Sequence, residues 1–448
     1  MTAAPRRDVG VTVVGAGLAG SEAALVLSAA GIPVDLVEMR PGVSSPAHLT
    51  SWFAELVCSN SLGSEESESG KGLLKAELRL LGSNLLFLAD RARVPAGKAL
   101  AVDREAFARS VTDSVRTRPG IRVVEGEARE IPGVPLVILA CGPLPSEAMS
   151  SSIRSLLGDD GFYFYDAISP IVDASTIDFD AAYFADRYGA GGGDYLNLPM
   201  SRERYETFLS ELLAARVVPA REFEQERYFE SCMPIEAIAG RGPDTLLFGP
   251  LRPVGLRDPR TGRIPHAVVQ LRKENAAGTM YNIVGFQTRL AYPEQERVFS
   301  LIPGLSRVKF LRHGSVHRNG FIDAPRHLHP WMESRSRPGL FFAGQISGVE
   351  GYVESIASGF VAALSAAAVA MDERPLTFPG ESMIGSLMRH IATPRPAAFQ
   401  PMNANFGLLP EPAPGKKRER RARQAAAALS ATAELRRSFF KYNPLCVK

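Results

Sequence analysis

The sequence predicts an α/β protein: a Rossmann-like nucleotide-binding domain interrupted by an α+β insertion domain. Three observations carry that expectation. A complete G-x-G-x-x-G turn lies between an apolar strand and an Ala/Leu-rich helix inside the first thirty residues. Two later strands, near residues 139 and 342, each run into a glycine turn far from the first. The chain of 448 residues is also longer than one hydrophobic core usually supports. The expected division is a first part of the nucleotide domain over residues 1–165, an insertion over 166–325, and the second part of the domain over 326–448.

The opening element is Val9-Gly10-Val11-Thr12-Val13-Val14, a short apolar run of the kind found in buried parallel strands. It leads into Gly15-Ala16-Gly17-Leu18-Ala19-Gly20, read whole as a pyrophosphate loop. Gly15 permits the tight turn, Gly17 lets backbone N–H groups approach the phosphates, and Gly20 lets helix and strand pack closely. Ser21 to Ala30 favours helix and Gly31 is placed to stop it. The partial positive charge at the start of that helix suits the phosphates. Ile32 to Val37 reads as the next strand, and Glu38 at its end can accept hydrogen bonds from an adenosine ribose.

That fingerprint alone does not choose the ligand, because methyltransferases using S-adenosylmethionine also carry a glycine loop and an acid after the second strand. Two later segments argue for FAD. Pro135 to Gly142 is a strand ending in small residues, resembling the A-T-G segment of flavin oxidoreductases. Leu340-Phe341-Phe342-Ala343-Gly344-Gln345 is another strand entering a glycine turn. It continues through Gly348, Gly351 and Tyr352 into an Ala-rich helix from Glu354 to Met371. Gly142, Gly344 and Gln345 therefore join the candidate cofactor contacts. Cys141 reads as a small residue in a crowded turn.

After Gly142 the pattern loosens, and fresh strand and loop signals begin near Asp166. Tyr188 to Asp194 is a glycine-rich loop, Ser201 to Ala215 looks helical, and Val268–Leu271 and Met280–Phe286 look like strands. The chain should return to the nucleotide domain between Gly320 and Gly344. Near the end, Lys416-Lys417-Arg418-Glu419-Arg420-Arg421-Ala422-Arg423 opens a helix-favouring stretch, fitting either a solvated face or a phosphate contact.

Lys+Arg 51 against Asp+Glu 48 gives a net charge of only +3, so bulk charge does not announce a nucleic-acid partner. Cys58, Cys141, Cys232 and Cys446 are widely spaced, which argues against a dithiol redox motif or a zinc knuckle. No histidine pair suggests a metal site. The short charged start lacks the apolar region of a secretory signal, and the apolar run Val361–Met371 is too short to span a bilayer. The expectation is a cytoplasmic enzyme with reduced thiols, no membrane and no obligate protein partner.

With these segments in hand, the chain closely resembles the bacterial folate- and FAD-dependent tRNA (uracil-5-)-methyltransferases. The matching segments run through nearly the whole length: Ser45 to His48, Ala54 to Leu62, Ala99 to Arg104, Cys232 to Glu236 and Gly249 to Leu256. They continue with Gly278 to Asn282, Val284 to Thr288, His317 to Asn319, Phe341 to Gly359 and Pro401 to Asn403. Ser231 stands where the family pattern expects glycine. Flavoproteins that modify the wobble uridine are related, but carry a long additional C-terminal region that this chain is expected to lack.

The resemblance implies 5-methyluridine formation in the T-loop of tRNA. The carbon comes from 5,10-methylenetetrahydrofolate and the electrons from reduced FAD, recharged by NAD(P)H. Uracil C5 is a poor nucleophile until a thiolate adds at C6, and cysteine suits that addition. The family pattern points to Cys232 as this nucleophile, with Glu236 as a proton-handling or orienting group. Cys58 becomes the second thiol near the flavin, although the two roles could be exchanged. His48, His317 and Arg318 are weaker candidates for substrate contact, as are Arg252, Arg272 and Lys273 for phosphate or folate glutamate.

Competing readings keep the chemistry on ribosomal RNA, or make the chain a plain NAD(P)H:flavin oxidoreductase, or a non-enzymatic RNA-binding flavoprotein. The second would need another nucleotide fingerprint, and no other G-x-G-x-x-G opens a helix. The third leaves both thiol motifs without a purpose.

Overall fold

A computed structural model describes residues 9–45, 47–158, 162–187, 192–218, 233–394 and 399–439. Its first layer is a parallel sheet in the order β16 (Leu340–Phe342), β7 (Val137–Leu139), β1 (Val11–Val14), β2 (Val34–Glu38), β6 (Ile121–Glu125). Val13 pairs with Leu36 on one side and Ile138 on the other, and Phe341 pairs with Ile138. β7 and β16 are wholly buried, which is why they read as unbroken apolar runs.

Helix α1 (Leu18–Ala29) and the long α11 (Tyr352–Ala370) pack together beside this sheet. Their alanines and glycines allow close contact: a Cβ at Gly359 would stand 2.2 Å from the Ala19 carbonyl oxygen. α1 begins at Leu18, three residues before the helix expected from sequence, because Gly20 lies inside its first turn. α11 lies within two residues of the helix expected over Glu354 to Met371, and the apolar run Val361–Met371 is only part of it. Its 19 residues are long and apolar enough to cross a membrane, yet 94% of its most apolar window is buried inside the protein. Burial on all sides is what permits an all-round apolar helix here.

Around this core lie α2 (Gly70–Leu81), α3 (Asn84–Arg91), α4 (Arg104–Arg116), α5 (Glu147–Leu157), α10 (Ala324–His327), α12 (Met383–Ala392) and α13 (Lys417–Phe439). A small antiparallel sheet, β3 (Ser61–Ser64), β5 (Ala99–Val102) and β4 (Arg93–Val94), sits beside α2 and α3. Two buried carboxyls tie helices together. Glu22 of α1 accepts the N–H groups of Asn84 and Leu85, and Glu77 of α2 accepts those of Met383 and Ile384. Each caps a helix start from another helix. Burial pushes Glu22 up to about 7 and Glu77 up to about 8, against their hydrogen bonds.

The second layer is antiparallel, in the order β10 (Tyr183–Phe184), β11 (Tyr195–Met200), β12 (Ala267–Lys273), β13 (Met280–Ile283), β9 (Ile171–Asp173), β14 (Phe310–Arg312). Helices α6 (Arg202–Ala214), α7 (Ile235–Ala239), α8 (Thr245–Phe248) and α9 (Tyr292–Phe299) accompany this sheet in the chain, and α6 packs on α7 and α9. A separate apolar core of residues between Val172 and Leu305 holds this unit together. A two-stranded ribbon, β8 (Phe162–Ile168) with β15 (Ser315–Phe321), carries the chain out of the nucleotide domain and back.

Candidate active site

A cleft opens at the ends of β1, β2, β7 and β16. This is where open parallel sheets place their ligands. Gly15, Gly17, Leu18, Ala19, Glu38, Gly142, Gly344 and Gln345 all line it. Ala16 and Gly20 stand behind it with structural duties. Gly15 has φ +99°, and a Cβ there would meet the Ala140 carbonyl oxygen at 2.5 Å. A Cβ at Gly20 would stand 1.8 Å from the Gly15 carbonyl oxygen. Gly17 is different. Nothing lies within 4 Å of a Cβ built on it, so the space beside the helix start is open.

Two helices start at this cleft without a capping side chain: α1 after Gly17, and α11 after Gly351. Tyr352 and Ser355 in the first turn of α11 line the cleft. Ser358, one turn further on, accepts the Gly344 N–H at 2.7 Å and so fixes the late glycine turn. Helix starts of this kind offer backbone donors and partial positive charge to an oxygen-rich ligand.

Glu38, the last residue of β2, lies in the cleft wall. Its carboxylate accepts the Ala16 N–H at 2.7 Å and Arg40 Nε at 2.7 Å, binding loop to strand. Burial opposes its charge, but Arg40 and the two backbone donors outweigh that and hold it below the usual carboxylate range. Oε1 accepts both the Arg40 N–H and Arg40 Nε, whereas Oε2 accepts only the Ala16 N–H and keeps a second lone pair. His48 also lines the cleft, with Ser45 Oγ 2.6 Å from its Nδ1. Burial first, and then Arg40, push His48 down to about 4, so its ring is neutral near pH 7.

Cys58 faces a partner from the far end of the chain. Its Sγ lies 2.8 Å from the Tyr352 hydroxyl. The same hydroxyl accepts N–H bonds from Cys58 at 2.8 Å and Ser59 at 3.2 Å. With both lone pairs taken by backbone donors, the phenol proton is directed at Sγ. Burial, and then the Cys58 sulfur, push the Tyr352 hydroxyl well above its ordinary value, so that proton stays on oxygen.

The second layer clamps the cysteine loop from the other side. Arg272 on β12 donates to Asn60 at 2.9 Å and Ser59 at 2.8 Å, and Asn60 donates to the Lys273 carbonyl at 3.0 Å. Arg272 is thus occupied by the loop rather than exposed to a phosphate, whereas Arg252 is exposed. Arg104 donates to the Leu56 carbonyl and, at 2.8 Å, to Glu274. The other Glu274 oxygen and the Asn282 amide nitrogen are buried there without a partner, polar groups left over at the seam.

The sequence places this architecture among known proteins. The family model for glucose inhibited division protein A matches residues 10–374. The methylenetetrahydrofolate--tRNA-(uracil-5-)-methyltransferase TrmFO of Heliobacterium modesticaldum is 53% identical over 427 residues, 95% of this chain and 97% of the relative. The protein of the same name from Geobacter sulfurreducens is 53% identical over 423 residues, covering 94% and 97%. This chain belongs to the TrmFO family. Aquifex aeolicus GidA, in its form II crystal, shares the fold with a TM-score of 0.71 at 18% identity. That likeness covers 97% of this chain and 74% of the other.

Of the residues singled out by resemblance to the TrmFO family, Cys232 lies outside the described residues, as do the side chains of His317 and Arg318. Glu236 is described. It accepts the Thr288 hydroxyl at 2.8 Å and the Arg289 N–H at 2.7 Å. Burial outweighs these bonds and raises its carboxyl above the usual range. Each oxygen thus accepts one hydrogen bond, tying Glu236 to the Thr288–Arg289 segment. Tyr352, Arg104 and Glu274 were missed as site residues by sequence reasoning. Tyr352 and Arg104 lie inside segments shared with the family, but nothing local in the sequence connects either to Cys58.

Proposed function

We propose that this TrmFO-family chain forms 5-methyluridine in the T-loop of tRNA, as a folate- and FAD-dependent (uracil-5-)-methyltransferase. The carbon comes from 5,10-methylenetetrahydrofolate and NAD(P)H is the reductant. The observation that carries this reading is Cys58, held by Tyr352 at the lip of a dinucleotide cleft. A plain flavin reductase has no use for a thiol so placed. A tRNA substrate fits a cytoplasmic setting.

FAD fits the cleft: the loop Gly15–Gly20 and the start of α1 would hold its pyrophosphate, and Glu38 its adenosine ribose. Gly142, Gly344, Gln345 and the start of α11 would hold its flavin side. When bound it supplies the two electrons that take a carbon at the formaldehyde level to a methyl group.

The chain's own residues manage the base. In our reading Cys232 adds through sulfur to C6 of the target uracil, and the electron pair displaced from the C5–C6 bond makes C5 nucleophilic. C5 then takes the folate carbon, with tetrahydrofolate nitrogen as leaving group. Cys58, as thiolate, removes the C5 proton; that electron pair expels the second tetrahydrofolate nitrogen, and once the transferred carbon has been reduced to methyl, the Cys232 sulfur leaves C6 and restores the ring. Tyr352 is a positioning residue: its hydroxyl proton stabilises negative charge on Cys58 Sγ, and the Arg104 cation nearby favours the same state. Glu236 holds the segment that carries Arg289 against the Cys232 motif.

Mass analysis of tRNA incubated with the holoenzyme, NADPH and methylenetetrahydrofolate labelled on its methylene carbon tests the proposal. Label should appear in the new methyl group without S-adenosylmethionine. Label from S-adenosylmethionine alone would overturn it. RNA carrying 5-fluorouridine at the target should become covalently attached, and Cys232→Ala should abolish attachment while Cys58→Ala need not. The opposite pattern would exchange the two roles.

A further inference from the structure

The described surface carries an unusual ring stack beside the site. The Tyr292 ring lies 4.5 Å from the His313 ring at 18°, and His313 lies 5.1 Å from Phe310 at 13°. Phe310 packs in turn on the insertion core through Phe299. The stack therefore rises from buried Phe299 to Tyr292, which is 55% exposed. His313 is held in plane by Glu296, 3.0 Å from its Nε2. Packing needs no third parallel ring at its wet end, and the exposed Tyr292 adds little to the core below.

The stack adjoins both parts of the site. Arg312, between Phe310 and His313 in sequence, reaches the Ala47 carbonyl at 3.3 Å, next to His48 in the cleft wall. Gly314 is locked to α9 by two bonds with Gln295, of 2.7 and 2.8 Å. Arg289, three residues before Tyr292, is the residue whose N–H Glu236 holds. The Ala291 N–H donates to the carbonyl of Arg216, an exposed cation just past the end of α6.

From this the geometry points to a nucleobase-stacking subsite: Tyr292, pre-ordered by His313 and Phe310, receives an unpaired base flanking the target uridine. This rests on the proposed RNA substrate. Single-stranded RNA is gripped by aromatic faces because every base has a π-face, and an exposed arginine near such a face suits a phosphate that flanks the base. Delivering a uracil to the cleft requires unstacking it, and a platform for its neighbour offsets that cost. The reacting folate carbon has to lie within the cleft, whereas RNA must extend beyond it, across this rim.

The test uses the full-length holoenzyme and a T-arm hairpin with 2-aminopurine next to the target uridine. Wild type should quench the 2-aminopurine on binding. Tyr292→Ala should lose the quench and bind RNA about tenfold more weakly, the order of one lost base stack. Tyr292→Trp should restore both. FAD content and melting temperature report whether each variant is folded, and the Trp variant keeps the test decisive if the Ala variant is not. A KM shift for methylenetetrahydrofolate instead of RNA would reassign the platform to folate and overturn the inference. So would undiminished quenching in Tyr292→Ala. Wild-type protein that methylates no RNA at all would instead remove the proposed function, and this inference with it.

Discussion

Cys58 and Tyr352 are 294 residues apart in sequence, and their sulfur and hydroxyl oxygen are 2.8 Å apart in space. The contact joins the loop after β2 to the first turn of α11, two segments that both contribute to the cleft lining. It sets the thiol in place from both its own backbone and its side chain, since the one hydroxyl binds the Cys58 N–H as well as Sγ.

Tyr352→Phe should therefore lower methylation while leaving FAD bound. Loss of one hydrogen bond to a charged group corresponds to about 1.5–3 kcal/mol, or roughly tenfold to a hundredfold in rate. Alkylation of Cys58, followed by peptide mass, should need a higher pH in the variant than in wild type. An unshifted alkylation profile would mean that Tyr352 only fills space.

Gly17→Val should yield colourless protein. The open space beside Gly17 is where the proposed FAD pyrophosphate would approach the start of α1, and a branched side chain would occupy it. A clash of even about 3 kcal/mol weakens binding about a hundredfold. The absorbance ratio of flavin to protein after purification reads the result. Full occupancy would remove the phosphates from this turn.

Two buried groups give the stability profile opposite limbs. His48 titrates near 6.5 when unfolded and about 4 when folded, so between those values the unfolded chain binds the extra proton. Stability falls as pH drops from about 6.5 toward 4. Glu77 goes from 4.5 unfolded to about 8 folded, so the folded chain holds the extra proton. Stability then falls as pH rises from about 4.5 to 8, each limb at no more than about 1.4 kcal/mol per pH unit. Melting temperatures from pH 5 to 8 should show a flatter alkaline limb in Glu77→Gln and a flatter acid limb in His48→Gln. Unchanged slopes in both would contradict the assignment.

Arg104→Ala should loosen the seam between the cysteine loop and β12. It leaves Glu274 as a buried charge without its cation, which costs about 3–5 kcal/mol. The melting temperature should fall by about 5 °C or more. Arg104→Lys keeps the charge but loses the fork that reaches Leu56 and Glu274 together, so it should recover only part of the loss. Full recovery by lysine would make the seam a matter of charge alone.

The sequence by itself determined the nucleotide-binding frame of this protein. β1, the glycine turn, α1 and Glu38 are contiguous, and each is dictated by local needs: apolar burial, positive φ at Gly15, backbone contact at Gly20. β12, α6 and α11 were legible through their local patterns, and α11 (Tyr352–Ala370) falls within two residues of the helix expected over Glu354 to Met371. The small β3–β5–β4 sheet had no comparable local signature, because its strands are only two to four residues long, although Ser69, Ser83 and Asp103 cap α2, α3 and α4 from the residue just before each helix. Family resemblance chose the cysteines and the chemistry. Only tertiary structure decided what surrounds Cys58, because Tyr352, Arg104 and Glu274 meet it through contacts between distant segments. No period or spacing along a chain records which of its distant polar groups will share one buried hydrogen-bond network.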